Sequence, residues 1–135
     1  MSRILIIDDD AHLRDILDHA LVLQGYAVDH ANNGEEALAR LLNGSRYPAL
    51  ILLDLLMPIM DGFQFRFIQK EHPRIGEIPV TILTETLTEV ELSILNPVAV
   101  IKKPLQLQST LQIIRHLCPL IEVKTNERPS ETWKE

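Results

Sequence analysis

Arg3-Ile4-Leu5-Ile6-Ile7-Asp8-Asp9-Asp10 runs four apolar residues directly into three carboxylates. An apolar run this short and rich in isoleucine reads as a β-strand covered on both faces, the usual state of a strand in a parallel sheet. The acids at its end are harder to explain, because neighbouring like charges repel unless something neutralises them. The pattern returns along the chain. Ala49 to Leu53 is apolar and stops at Asp54, Pro79 to Leu83 stops at Thr84, and Val98 to Ile101 stops near Lys103-Pro104. Ala27 to Ala31 also reads as a strand, but Asp29 and His30 interrupt it, which suits a sheet edge.

The stretches between these runs have a helical period. Leu13, Ile16, Leu17, Ala20 and Leu21 share one stripe, and Gly25 follows as a stop. Asn33-Gly34-Glu35-Glu36 offers a cap and first-turn acids to a second helix, which carries Ala37, Leu38, Leu41 and Leu42 and stops near Gly44. A third helix follows Asp61-Gly62. Phe63, Phe65 and Phe67 alternate with strand period there, but Ile68 and the need for a crossover between parallel strands favour helix. A fourth is expected from Glu85 to Leu95, ending at Asn96-Pro97. A fifth carries Leu107, Leu111, Ile114 and Leu117 on one face. Five βα units in succession predict an α/β fold, a doubly wound parallel sheet with right-handed crossovers. On this reading residues 1–121 form one domain, and residues 122–135, polar and carrying Pro129, form a loose tail.

Composition narrows the function. A chain of 135 residues is long enough for one domain with a real core and too short for two. Its formal net charge of -6 argues against a surface for direct nucleic acid binding. No apolar run approaches the ~20 residues of a membrane helix, and no secretory leader is recognisable, so a cytoplasmic protein is expected. The single Cys118 sits among Leu117, Leu120 and Ile121, reads as a small core thiol, and fits a reducing compartment. The five His residues show no metal-ligand spacing.

In doubly wound sheets ligands bind beyond the carboxyl ends of the strands. Those ends carry Asp8, Asp9, Asp54, Thr84 and Lys103. Clustered carboxylates suit a hard divalent cation, and Mg2+ prefers a few carboxylates with water and a phosphate oxygen. Asp54 could then act as a nucleophile toward phosphorus, with Lys103 and Thr84 countering the charge of the arriving phosphoryl group. Asp10, just before Ala11-His12-Leu13, reads instead as a helix cap. Of the two lysines, strand alternation and the adjoining Pro104 favour Lys103 over Lys102.

Ile6-Ile7-Asp8-Asp9, Leu53-Asp54-Leu55-Leu56-Met57-Pro58-Ile59-Met60-Asp61-Gly62, Leu83-Thr84 and Lys103-Pro104, in this order, resemble the response-regulator receiver domain of two-component signalling. The resemblance runs from about Arg3 to about Leu117 and implies the flavodoxin-like sheet, five strands in order 2-1-3-4-5 with five helices. It implies that Asp54 accepts a phosphoryl group from a sensor histidine kinase or a phosphotransfer protein. It implies Mg2+ held by Asp9, Asp54 and the Leu56 backbone carbonyl, with Asp8 acting through water. Lys103 would contact the phosphoryl oxygens, Thr84 would swing toward them, and Lys103-Pro104 would be cis. Leu56 and Thr86 would tune access of the hydrolytic water.

The chain also departs from the family. Val100 stands where receivers usually carry the switch aromatic, Glu85 where a small residue usually follows the Thr, and Asn96-Pro97 where a Gly-Ala pair is usual. The fourth helix looks about one turn short. These changes imply retained phosphorylation chemistry with an unusual output face, on which loop movement around Thr84 and Glu85 carries the signal. A stand-alone receiver that catalyses only its own phosphorylation and dephosphorylation, rather than an enzyme, is therefore expected. Its downstream protein target is open, and a second copy of the chain is a further candidate partner. Two alternatives remain: a phosphorylation-independent pseudo-receiver, and a haloacid-dehalogenase-type phosphatase built on Asp8 and Asp10. The second would leave Asp54 without a role.

Overall fold

All five residues of the strand Leu50–Asp54 are buried, and the sheet is built around it. The computed structural model describes residues 2–44 and 46–120, so the expected tail lies outside the described residues. The elements alternate: β1 (Arg3–Ile7), α1 (Ala11–Gln24), β2 (Ala27–Ala31), α2 (Gly34–Asn43), β3 (Leu50–Asp54), α3 (Gly62–Glu71), β4 (Val80–Thr84), α4 (Glu89–Leu95), β5 (Ala99–Lys102) and α5 (Leu107–Leu117). The strands form one sheet in order β2-β1-β3-β4-β5, and every pairing is parallel. This is the flavodoxin-like architecture that the sequence predicts, with β2 at an edge. Among the described residues no helix is long and apolar enough to cross a membrane.

Alternation along the strands divides the core into two layers. Leu5, Ile7, Ile51, Leu53 and Ile82 pack on one face with Ala37 and Leu41 of α2, Phe65 of α3 and Leu95 of α4. Ile4, Ile6, Leu50, Leu52 and Leu83 pack on the other with Leu17 and Leu21 of α1 and Ile114 of α5. A strand whose two faces are both covered must be apolar at every position, which is why β1 and β3 read as unbroken runs.

Caps set the helix starts. The Asp10 carboxylate accepts from the amides of His12 and Leu13, as its position predicts. Asn33 caps α2, and Asp61 forms a capping box with Gln64 at the head of α3. The phenylalanine alternation belongs to a helix: Phe65 is fully buried and Phe67 is 72% exposed. One boundary departs from expectation. Helix α4 begins at Glu89 rather than Glu85, because Thr88 and Glu91 form a capping box and Glu85 to Thr88 become a loop. Sequence periodicity also misses two polar residues on the inner side of α3, Arg66 and Gln69, both buried.

The strand register decides which side chains meet beyond the strand ends. Ile7 pairs with Leu53, so Asp8 and Asp54 emerge side by side; Thr84 pairs with Lys102, which brings Lys103 beside them. After β3 a loop over residues 55–61 doubles back to the start of α3, where Gly62 donates its amide to the Leu55 carbonyl at 2.9 Å. A Cβ on Gly62 would lie 2.4 Å from the Asp54 carbonyl oxygen and 2.8 Å from the Leu55 Cα. Gly34 is also crowded, but most closely by the flexible end of Met60 at 2.8 Å, with the Phe65 Cβ at 3.0 Å. Gly62→Ala is therefore expected to lower the unfolding free energy by about 3 kcal/mol, the upper range for overpacking a site that cannot relax. Gly34→Ala should lose clearly less in urea denaturation, and equal losses would contradict this account of Gly62.

Candidate functional site

The carboxyl ends of β1, β3, β4 and the segment after β5 surround a cleft of about 450 Å3, whose walls include Asp8, Asp9, Asp54, Leu56, Thr84 and Lys103. Asp8 is fully buried. One of its oxygens accepts from the Asp10 amide at 2.9 Å and the other from Lys103 Nζ at 3.1 Å. The same Nζ donates to Asp54 Oδ1, also at 3.1 Å. Asp9 is exposed, yet it completes a cluster in which Asp8, Asp9 and Asp54 each offer an oxygen within 4.8 Å of the others. Arg14 of α1 donates to the Asp8 backbone carbonyl and steadies the turn. The Lys103-Pro104 peptide is cis, and the Lys103 amide is bonded to the Thr84 carbonyl at 2.9 Å.

One ammonium bonds two of the three clustered acids, so negative charge is in excess. Burial pushes the Asp54 carboxyl above its ordinary pKa, the charge of Asp8 adds to this, and Lys103 opposes both without cancelling them. Burial works against the Lys103 charge, but Asp8 and Asp54 together hold its pKa above the ordinary lysine value. The three oxygen donors, hard and close together, form a site that a divalent cation would fit. The arrangement also offers a partly desolvated carboxylate, Asp54, with a cation bonded to it.

Of the residues that the strand ends single out, the structure brings Asp8, Asp9, Asp54 and Lys103 together. Leu56 lines the same cleft with its side chain 79% exposed. Thr84 lies at the rim, but its hydroxyl donates to the Thr86 carbonyl at 2.9 Å and makes no bond to Asp54. Asp10 is occupied as the cap of α1, which weakens the phosphatase reading built on Asp8 and Asp10. Phe63, Glu85 and Glu91 also line the cleft. Glu91 was out of reach of sequence reasoning, because nothing local shows that α4 faces the strand ends.

The pKa directions set a stability prediction. A carboxyl with a raised folded pKa binds its proton more tightly folded than unfolded, so stability falls as pH rises from the ordinary value of 3.8 through the folded pKa. Without divalent metal at neutral pH, Asp54→Asn should thus melt at a higher temperature than the wild type, and the gap should close as pH falls toward 4. A variant that melts lower at neutral pH would contradict the charge excess. Lys103 contributes in the other range: its stabilisation is complete below the ordinary lysine pKa of 10.5 and is lost as pH rises through the folded value.

Residues 4–115 match the family model described as the response regulator receiver domain. The chain is 40% identical over 83 residues to the probable transcriptional regulator ycf27 of Pyropia yezoensis, an alignment covering 62% of this chain and 32% of the relative. It is 35% identical over 133 residues to the regulatory protein AtoC of Escherichia coli, covering 87% of this chain and 28% of the relative. The chain thus spans about a third of the length of the curated relatives it matches. Among solved structures, the chemotaxis response regulator CheY4 of Vibrio cholerae superposes with a TM-score of 0.78 at 26% identity, covering 87% of this chain and 98% of that one. The response regulator protein TrrA of Thermotoga maritima, in complex with Mg2+ and BeF, gives 0.74 at 27% identity, covering 87% and 99%. The chain belongs to the response regulator receiver domain family of two-component signalling.

Proposed function

We propose that Asp54 accepts a phosphoryl group from a phosphohistidine on a sensor histidine kinase or phosphotransfer protein, in a Mg2+-dependent step. The observation that carries this reading is the Asp8-Asp9-Asp54 cluster within 4.8 Å, with Lys103 Nζ 3.1 Å from both Asp8 and Asp54. Asp9, Asp54 and the Leu56 backbone carbonyl would hold Mg2+, with Asp8 serving it through water. When bound, Mg2+ supplies positive charge to the phosphoryl oxygens and relieves the repulsion among the acids.

The protein's own groups do the rest. An Asp54 oxygen forms the new P–O bond as the P–N bond to the donor imidazole breaks, and the nitrogen keeps the electron pair. Lys103 turns from a partner of two carboxylates into a contact for the phosphoryl oxygens. The Thr84 hydroxyl leaves the Thr86 carbonyl to donate to the new anion, and the loop from Glu85 to Thr88 moves with it. Val100, half-buried in β5 and packed against the core, has no ring to follow.

The module signals by changed protein–protein interaction, works in the cytoplasm, and turns over nothing but its own phosphoryl group. A second copy of the chain is one candidate partner. The names of several relatives describe transcriptional regulators, whereas the charge of -6 here supports a domain that does not itself bind DNA.

Incubation with Mg2+ and a small phosphodonor, followed by mass spectrometry, tests the reading. A label at Asp54 that disappears with chelator and in Asp54→Asn is expected. No label, from a donor active on a control receiver, would support a pseudo-receiver instead. The exposed, apolar Leu56 at the mouth of the cleft cannot hold a hydrolytic water by hydrogen bonding. Leu56→Asn is expected to shorten the phosphoryl half-life several-fold, and an unchanged half-life would contradict that role.

A further inference from the structure

Arg66 is a buried arginine without an acid. It is 7% exposed, and among the described residues no carboxylate pairs with it. Its donors go to the end of another helix. Nε donates to the Leu95 carbonyl at 2.8 Å and Nη2 to the Asn96 carbonyl at 2.9 Å. Lys70, one turn further along α3, donates to the Ile94 carbonyl at 3.2 Å. The last carbonyls of a helix have no partner within it and carry partial negative charge, so two cations from α3 satisfy the exit of α4 in both respects.

The guanidinium is itself held. Nη1 donates to Gln69 Oε1 at 2.7 Å, and Gln69 Nε2 donates to the carbonyls of Ile75 and Ile78 at 2.9 and 3.0 Å. Gln69 is fully buried, so this network is rigid. The two ends of α4 therefore differ. Leu95 is its one buried residue, and the bonds from α3 all reach its C-terminal end. At the other end Glu89 and Val90 are exposed, and among the described residues the side-chain hydrogen bonds there are those of the Thr88-Glu91 capping box.

We infer that Arg66 is a latch between α3 and the C-terminal end of α4, so that movement of the loop after β4 turns α4 about Leu95 and Asn96 rather than shifting it as a body. The role in signalling rests on Asp54 being the phosphoacceptor; the latch itself does not. It also explains how a fourth helix of seven residues stays docked on the sheet.

Amide hydrogen exchange on the full chain tests this, comparing the wild type, Arg66→Met and Arg66→Lys with and without Mg2+ and beryllofluoride, a phosphoryl mimic. Without the mimic, the amides of Leu92, Ile94 and Asn96 should exchange about tenfold faster in Arg66→Met, with β1 and β3 unchanged and Arg66→Lys in between. With the mimic, wild-type amides from Thr84 to Val90 should change while Ile94 to Val98 stay constant; in Arg66→Met both groups should change. Wild-type exchange rates for α4 in Arg66→Met would overturn the latch, as would a loss of protection spread evenly over the sheet. If Arg66→Met fails to fold, Arg66→Lys decides: α4 as protected as in the wild type overturns the latch. A wild-type chain insensitive to the mimic would overturn the phosphoacceptor reading and leave the comparison without the mimic to judge the latch.

Discussion

Excess negative charge at the ends of buried strands is the constraint around which this molecule is arranged. Parallel pairing in register forces Asp8 and Asp54 out of the sheet at the same level, and one lysine amine answers both. Asp8 is fully buried and Asp54 nearly so, and water cannot screen such a pair as it screens a surface pair. The fold thus keeps an electrostatic deficit that a bound cation would remove. On the proposed reading, removing it would make Asp54 an available nucleophile, and a phosphoryl group arriving there would add charge that the same cation and Lys103 would counter.

The fold supplies the rigidity this requires. Two apolar layers lock β1 and β3 on both faces, so the acids at their ends have little freedom to separate. Gly62 lets α3 begin against the Asp54 backbone itself, and α3 then carries Arg66 to the far end of α4. One helix thus touches both the Asp54 backbone and the exit of α4, the helix that follows the loop after β4. The departures from the family pattern, Val100, Glu85 and Asn96-Pro97, lie in β5 and on either side of α4.

Much of this was legible in the sequence, for physical reasons. Strands covered on both faces must be continuously apolar, so β1, β3 and β4 declared themselves, and the broken pattern of β2 declared an edge. Their terminal residues then pointed to the site, because the carboxyl ends of a doubly wound sheet converge. Asp10 was readable as a cap because capping is local. The start of α4 was misplaced because Glu85 to Thr88 differ little in propensity from a helix, and only the paired side chains of Thr88 and Glu91 fix the boundary. Arg66 and Gln69 were missed because an arginine and a glutamine on a helix ordinarily face water. Their burial depends on carbonyls some 30 and 6 residues away in the chain, which no local pattern reports.

The charge deficit is the central claim, and Mg2+ binding measured by titration calorimetry tests it most directly. The expected result is a single site in the wild type, weakened at least tenfold in Asp9→Asn and in Asp54→Asn and unchanged in Asp10→Asn, where asparagine still caps the helix. Binding that is absent from the wild type, or that survives in Asp9→Asn and Asp54→Asn, would contradict it.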